Sequence, residues 1–469
     1  MKSPKKRALF LVFLFSFLYW FYLLGSSTMN ISMDAASYAG LGNRIKEQGF
    51  PNGYVTNGPQ REPLYPLTIA FSKTVEESLH VPFQDVQKGL QILMLFGCQF
   101  AVYLLLSRLS VRDNIIYAAM LYTAVSPALV NAAMSLFSEI AVMPFCIASV
   151  VLLCASWKAL DAPGRGRLWG LSALTGCAFL LSAFTKGVFQ YVYLVSLAPF
   201  YIRLIVALVQ RNRLLIRNCL IFLCTVFILF EGGIVSYKAL NKHVNGHFAF
   251  TNRVEWMLFG SAYKRAQPLT PRIILAHVAN IPGDGVCRMF FTEKECEYCS
   301  FRSTDYYGLV ELPKQLKNIP EEQRPAETSR LSLQLMRDHP FQFLVFMALE
   351  GSKMFFWEST MIGFVRYPSW LSAVYGNIPF RYGIRLGVAV VSFLGFFYTL
   401  GWGLRRLGRF KENEGPLMAL AFTLLTMLSF ITLYSFFSVL TRYALPVAPL
   451  FVVCVAFAAD RITGQQKRA

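Results

Sequence analysis

The sequence predicts an all-α polytopic membrane protein of ten to eleven transmembrane helices with an extracytoplasmic loop domain. Three observations predict it. Hydrophobic residues make up 55% of the 469 positions and charged residues only 15%, and the mean hydropathy is +0.45, which is membrane-class composition. The apolar residues come in long runs rather than in short alternating ones. The 45 Lys and Arg outnumber the 26 Asp and Glu, and they cluster beside those runs. That placement is the positive-inside pattern of membrane proteins and argues against a nucleic-acid-binding face.

A helix crossing a hydrocarbon layer of about 30 Å needs about 17–25 mainly apolar residues. Runs of this kind occupy 8–24, 89–106, 115–130, 140–157, 168–183, 188–209, 216–236, 386–404, 417–437 and 443–459. The first follows Lys5, Lys6 and Arg7 and is aromatic throughout, so it reads as a retained anchor, a signal peptide being the alternative. If the ten runs alternate across the bilayer, the basic clusters all fall on one side, the cytoplasmic one, as do both termini. These clusters are Lys5 to Arg7, Arg108 and Arg112, Lys158 with Arg165 and Arg167, Arg211 to Arg217, Arg405 to Lys411 including Arg409, and Arg461 with Lys467 and Arg468. The apolar stretch 341–356 is interrupted by Glu350 and Lys353, and a crossing there would move the Arg405 cluster to the other side. It is therefore expected to lie in the outer interface or to re-enter the bilayer, an eleventh span being the alternative.

The expected organisation is a first transmembrane helix at 1–25, a first outer loop at 26–88, and transmembrane helices two to seven at 89–236. An extracytoplasmic loop domain at 237–385 follows, with the interfacial or re-entrant helix at 341–363. The last transmembrane helices occupy 386–460, and 461–469 is a cytoplasmic tail. Within the loop domain, 310–318 and 327–337 have helical character. Seven of the ten cysteines sit in or beside apolar runs as small core side chains. Only Cys287, Cys296 and Cys299 lie in polar sequence, and outside the cytoplasm a disulfide from Cys287 to one of the other two is expected.

The polar stretch between the first two runs carries the most chemistry. Asp34 is followed by Tyr38, Leu41 and Ile45, a spacing that aligns them on one face of a helix over about 35–48. A carboxylate at the bilayer surface suits proton abstraction from a hydroxyl, while the competing reading is a simple helix N-cap. Further on come Arg61-Glu62-Pro63-Leu64-Tyr65-Pro66. Ser138-Glu139 opens the fourth run, Thr185-Lys186-Gly187 closes the fifth, and Arg442-Tyr443-Ala444-Leu445-Pro446 opens the last. Taken alone, Glu139 is a first-turn carboxylate favoured by the helix dipole, and Lys186 and Arg442 snorkel to the interface. Both cations, however, fall on the outer side, against the positive-inside trend. His243 and His247 are read as loop residues rather than as a metal pair. No glycine loop of nucleotide-binding type is present.

In this order, these motifs resemble those of the GT-C fold glycosyltransferases, the polyprenyl-phosphate-sugar dependent enzymes that include protein O-mannosyltransferases and lipid A aminoarabinose transferases. The resemblance implies a GT-C type bundle with outer juxtamembrane helices. It implies transfer of a sugar, with inversion, from a polyprenyl-phosphate-linked donor to a glycan, lipid or protein acceptor outside the cytoplasm. The basic-inside pattern fits a bacterial inner membrane, the endoplasmic reticulum being the alternative. On this basis Asp34 is the expected general base. Lys186, Arg442 and Arg61 are expected to bind the donor phosphate, and Tyr38, Glu62, Glu139 and Tyr443 to position substrate. Where many relatives carry Asp-Glu, this chain has Asp34-Ala35, so a divalent metal is not supported. The competing classes are a transporter or flippase of a lipid-linked or anionic substrate, which would show repeated halves and helices broken at the midplane, and a polysaccharide polymerase or ligase.

Overall fold

The computed structural model describes residues 4–55, 61–251, 254–360, 364–406, 408 and 410–465. Arg409, Lys467, Arg468 and the last three residues of 341–363 lie outside them. Among the described residues nine continuous helices are long and apolar enough to cross a membrane: Lys5–Ser26, Phe83–Arg108, Glu139–Ala159, Arg165–Thr185, Phe189–Val209, Arg213–Asn245, Ile378–Arg406, Glu414–Ser435 and Thr441–Gly464. A tenth is a bent pair, Asp113–Val125 and Pro127–Met134, at 47°. The ten coincide with the ten apolar runs, and the chain is an all-α, multi-pass integral membrane protein.

The bend in the third run follows from its sequence. Proline has no N–H to continue the helical ladder, and its ring collides with the preceding turn. Pro127 therefore restarts the helix, with the Ser126 hydroxyl accepting the Leu129 N–H as the new N-cap. The ambiguous stretch forms a helix over Pro340–Lys353 and a 3-10 turn over Met354–Phe356. At 14 residues the helix is about 21 Å long, shorter than the ~30 Å layer. The helix expected over 35–48 runs from Asp34 to Val55, with a kink at Gly49 (φ 77°), where only glycine is unstrained. His243 is helical, because the helix from Arg213 reaches Asn245 before Gly246 turns left-handed (φ 75°) and ends it.

The chain divides into two compact units. The first comprises Met1–Phe250, Glu358–Ser429 and Leu445–Ala469, and the second Thr251–Trp357 and Phe430–Ala444. In the first, Glu139–Ala159 packs against both Phe83–Arg108 and Arg165–Thr185, and the latter packs on Arg213–Asn245. Several polar donors inside the bundle find acceptors on neighbouring helices. Gln99 donates to Ser16 Oγ (2.8 Å) and to the Met120 carbonyl (3.0 Å), and Trp20 donates to the Ala124 carbonyl (2.9 Å). Helix ends bearing basic clusters meet one another. Lys5 pairs with Asp113 (2.7 Å), Arg112 with Asp460 (2.6 Å), and Arg461 donates to the Leu109 carbonyl (3.0 Å). A two-residue antiparallel pairing joins Thr28–Met29, just after the first span, to Val365–Arg366.

The second unit is built of short helices, including Val254–Ala266, Pro271–Asn280, Arg324–Asp338 and Pro340–Lys353. Cys287 is bridged to Cys296, and both pack with Ala276 and the Cys299 thiol in one small core. Glu350 and Lys353, which break the apolar run, lie buried together. Glu350 accepts from Lys353 Nζ (3.3 Å) and from the Val439 N–H (2.7 Å), while Arg265 donates to the carbonyls of Ser435 (2.6 Å) and Phe437 (3.0 Å). These bonds explain why 430–444 belongs with the loop helices. His277 is fully buried with a nitrogen 3.5 Å from Glu350, and its pKa falls from 6.5 to about 3 because burial disfavours the imidazolium.

Candidate active site

The stretch after the first span brings several of its polar residues into contact within the first unit. Asp34 is the first residue of its helix, and its Oδ1 accepts from Arg61 Nη2 at 2.6 Å. The Arg61 guanidinium also stands 4.9 Å from the centre of the Tyr38 ring, one helical turn after Asp34. Burial opposes the charge on Arg61, but Tyr38 and Asp34 outweigh it and the net shift is upward, so this side chain is a permanent cation.

Two further links lead into the membrane helices. The buried Tyr38 hydroxyl is 3.0 Å from Ser138 Oγ, so the Ser138 side chain engages Tyr38 instead of capping the helix it precedes. The next residue, Glu139, is 4% exposed and pairs with Lys186 Nζ at 3.1 Å. Lys186 follows directly on the helix Arg165–Thr185, in extended backbone, which turns its side chain out of the helical register. The circuit closes through Glu62, whose Oε1 accepts the Gly187 N–H at 2.9 Å. Arg61 and Glu62, adjacent in sequence, thus hold Asp34 and the Lys186-Gly187 turn respectively. Asp34, Arg61, Glu62, Gly187, Lys186, Glu139, Ser138 and Tyr38 form one continuous polar circuit drawn from four distant stretches.

Arg442 and Tyr443 lie in the second unit, on the 3-10 turn Thr441–Val447. The Arg442 guanidinium stands 5.8 Å from the Tyr443 ring centre, and that ring packs against Tyr434 and Phe301. Sequence reasoning overlooked the layer beneath Tyr38. The Tyr65 ring meets it edge-on at 5.0 Å, and the Tyr65 hydroxyl donates to Gln91 Oε1 (2.7 Å), whose amide donates to the carbonyls of Ala133 (2.7 Å) and Ser135 (2.9 Å). The available signal was a glutamine inside an apolar run, where an amide requires partners. Among the described residues, no three His, Cys, Asp or Glu side chains gather as metal ligands, and Asp34 and Glu139 each already hold a cation of the protein.

Neither a protein-family model nor a curated protein sequence matches the chain. In structure, it is similar to the archaeal oligosaccharyltransferase AglB of Archaeoglobus fulgidus, solved with an inhibitory peptide and a dolichol-phosphate, at a TM-score of 0.47 and 12% identity over 99% of this chain and 51% of that one. It is also similar to ArnT of Cupriavidus metallidurans in its apo state, at a TM-score of 0.37 and 13% identity over 97% of this chain and 78% of that one. The chain spans about half the length of the oligosaccharyltransferase.

Proposed function

We propose that the chain is a membrane glycosyltransferase of GT-C type that moves a sugar from a polyprenyl-phosphate-linked donor to an acceptor outside the cytoplasm, in a bacterial inner membrane. The observation that carries this reading is the polar circuit. A carboxylate (Asp34) and two cations (Arg61, Lys186), each in one of the GT-C-like motifs, are joined through Tyr38, Ser138 and Glu139 at helix ends. Such a constellation suits transfer from a lipid phosphate, because charge builds on the leaving oxygen at the membrane surface, where positioned cations stabilise it.

In this mechanism Asp34 takes the proton of an acceptor hydroxyl or amine as its oxygen or nitrogen bonds to the anomeric carbon. The bond from that carbon to the phosphate oxygen breaks on the opposite face, its electron pair stays with the phosphate, and configuration inverts. Arg61 orients Asp34 through one Nη2 donor, and its other N–H groups are available in kind for phosphate. Lys186 supplies a point charge, and Glu139 and Glu62 hold the turn that carries it. Arg442 is proposed as a further phosphate ligand, with Tyr443 as its neighbour, on the strength of the Arg-Tyr-x-x-Pro motif.

The test uses purified protein in lipid nanodiscs with polyprenyl phosphates carrying a single hexose or pentose, following release of polyprenyl phosphate by mass spectrometry. The wild type is expected to release it in the presence of acceptor. Asp34→Asn keeps the shape and an acceptor for Arg61, and loses about 10²–10⁴-fold in kcat, the usual contribution of a positioned base. Turnover of Asp34→Asn within about threefold of wild type removes Asp34 from the chemistry.

A further inference from the structure

The first unit resumes at Glu358, and the described residues 358–360 and 364–367 carry two sets of contacts within it. We propose that these described residues act as a strap that sets two halves of the candidate active site at once, with Glu358, Phe364 and Tyr367 as positioning residues. The proposal deepens the glycosyltransferase reading, because it concerns the geometry of that site.

One contact set leads to Glu139. The Glu358 carboxylate is fully buried. Its Oε2 accepts from the hydroxyls of Tyr122 (2.5 Å) and Ser126 (2.6 Å), and its Oε1 from the N–H groups of Ala128 (2.7 Å) and Ser359 (3.0 Å). Tyr122, Ser126 and Ala128 flank the break between Asp113–Val125 and Pro127–Met134, so Glu358 holds the bend and sits at the favourable N-terminus of the second piece. Tyr367 grips the same piece further along by donating to Asn131 Oδ1 (2.8 Å). The piece ends at Met134, and the chain continues through Phe137, whose ring is 6.0 Å from Phe364. Ser138 and Glu139 come next.

The other contact set leads to Asp34. The Phe364 carbonyl accepts the Asn30 N–H at 2.6 Å, and Val365 and Arg366 pair with Met29 and Thr28. Asn30 lies four residues before Asp34. Residues 364–367 therefore touch both the approach to the proposed base and, through Phe137 and Asn131, the approach to the Glu139–Lys186 pair.

The test has an activity-free arm and a kinetic arm, run on the full chain in nanodiscs. Hydrogen exchange of Glu358→Gln is expected to speed up by about tenfold or more in both 28–38 and 128–140. Acceleration confined to 128–140 would reduce Glu358 to a local cap and overturn the strap. Kinetically, Glu358→Gln is expected to lower kcat by about 10²-fold, as misplacement of catalytic groups does, with donor KM within about threefold of wild type. Added to Glu139→Gln it costs less than about threefold more, because it acts through that residue, and additive losses overturn the proposal. Tyr367→Phe deletes one hydroxyl without opening a void and keeps the test in hand if Glu358→Gln does not fold. It is expected to accelerate exchange in the same two segments and to lower kcat by about three- to tenfold. Wild-type turnover in Asp34→Asn would sink the reading of the site, while the exchange result stands independently.

Discussion

The pairing of Lys186 with Glu139 makes a prediction whose stability and activity arms have different orderings. At 3.1 Å and an effective dielectric of about 20, the gross Coulomb attraction is about 5 kcal/mol. Desolvation cancels much of this, since the side chains are only 12% and 4% exposed. Lys186→Met takes the ammonium from a buried carboxylate, a loss of about 3–5 kcal/mol. Glu139→Gln leaves an amide oxygen of the same shape for Nζ and costs about 1–2 kcal/mol. The double variant has no buried carboxylate at 139 and is expected to unfold at a higher temperature in detergent than Lys186→Met alone. Activity follows another order. If Lys186 stabilises the departing phosphate, Lys186→Met loses about 10²–10³-fold in kcat/KM for the donor. Glu139→Gln loses less, and the double variant no more than Lys186→Met, because Glu139 acts by placing Lys186. The cycle is read from midpoints and from polyprenyl phosphate release. Additive activity losses, or a Lys186→Met enzyme within about threefold of wild type, would refute the reasoning.

Three other outcomes follow from the geometry. At Gly187 an added Cβ meets Glu62 Oε1 and Phe250 at 3.4 Å, ordinary contact. Gly187→Ala is thus expected to keep kcat within about threefold, whereas Gly187→Val displaces Glu62 and lowers kcat sharply; equal activity of the two would remove Glu62 from the circuit. His277 has a folded pKa of about 3 against an ordinary 6.5, so the unfolded chain binds more protons between these values. Stability of the second unit is therefore full above about pH 6.5 and falls as pH drops toward 3; the protection factors of 271–280, taken against intrinsic amide exchange at each pH, should fall on acidification in wild type and less so in His277→Phe, and constant wild-type protection would count against the burial. Replacing both Cys287 and Cys296 by Ala opens a loop of nine-residue separation and is expected to cost about 2–3 kcal/mol, read as faster proteolysis of the second unit, with unchanged proteolysis as the contrary result.

The sequence by itself determined where the membrane-spanning helices lie. A bilayer admits only long apolar helices with internally bonded backbones, so ten runs were legible as spans, and Pro127 marked where one of them breaks. It also singled out the residues of the polar circuit, because Asp34, Arg61, Glu139 and Lys186 are charges at the edges of apolar sequence. Only the tertiary structure decided which charge meets which: Arg61 with Asp34 rather than Glu62, Lys186 with Glu139, and Cys287 with Cys296 rather than Cys299. Tertiary structure alone also revealed the long-range bonds of Gln91, Glu350 and Glu358, each of which reaches a partner from about forty to more than two hundred residues away in the chain. Hydropathy is a property of neighbours in sequence and can be summed along it. Hydrogen bonds and ion pairs between distant segments depend on helix packing and backbone direction at a few ångströms, which no local pattern encodes.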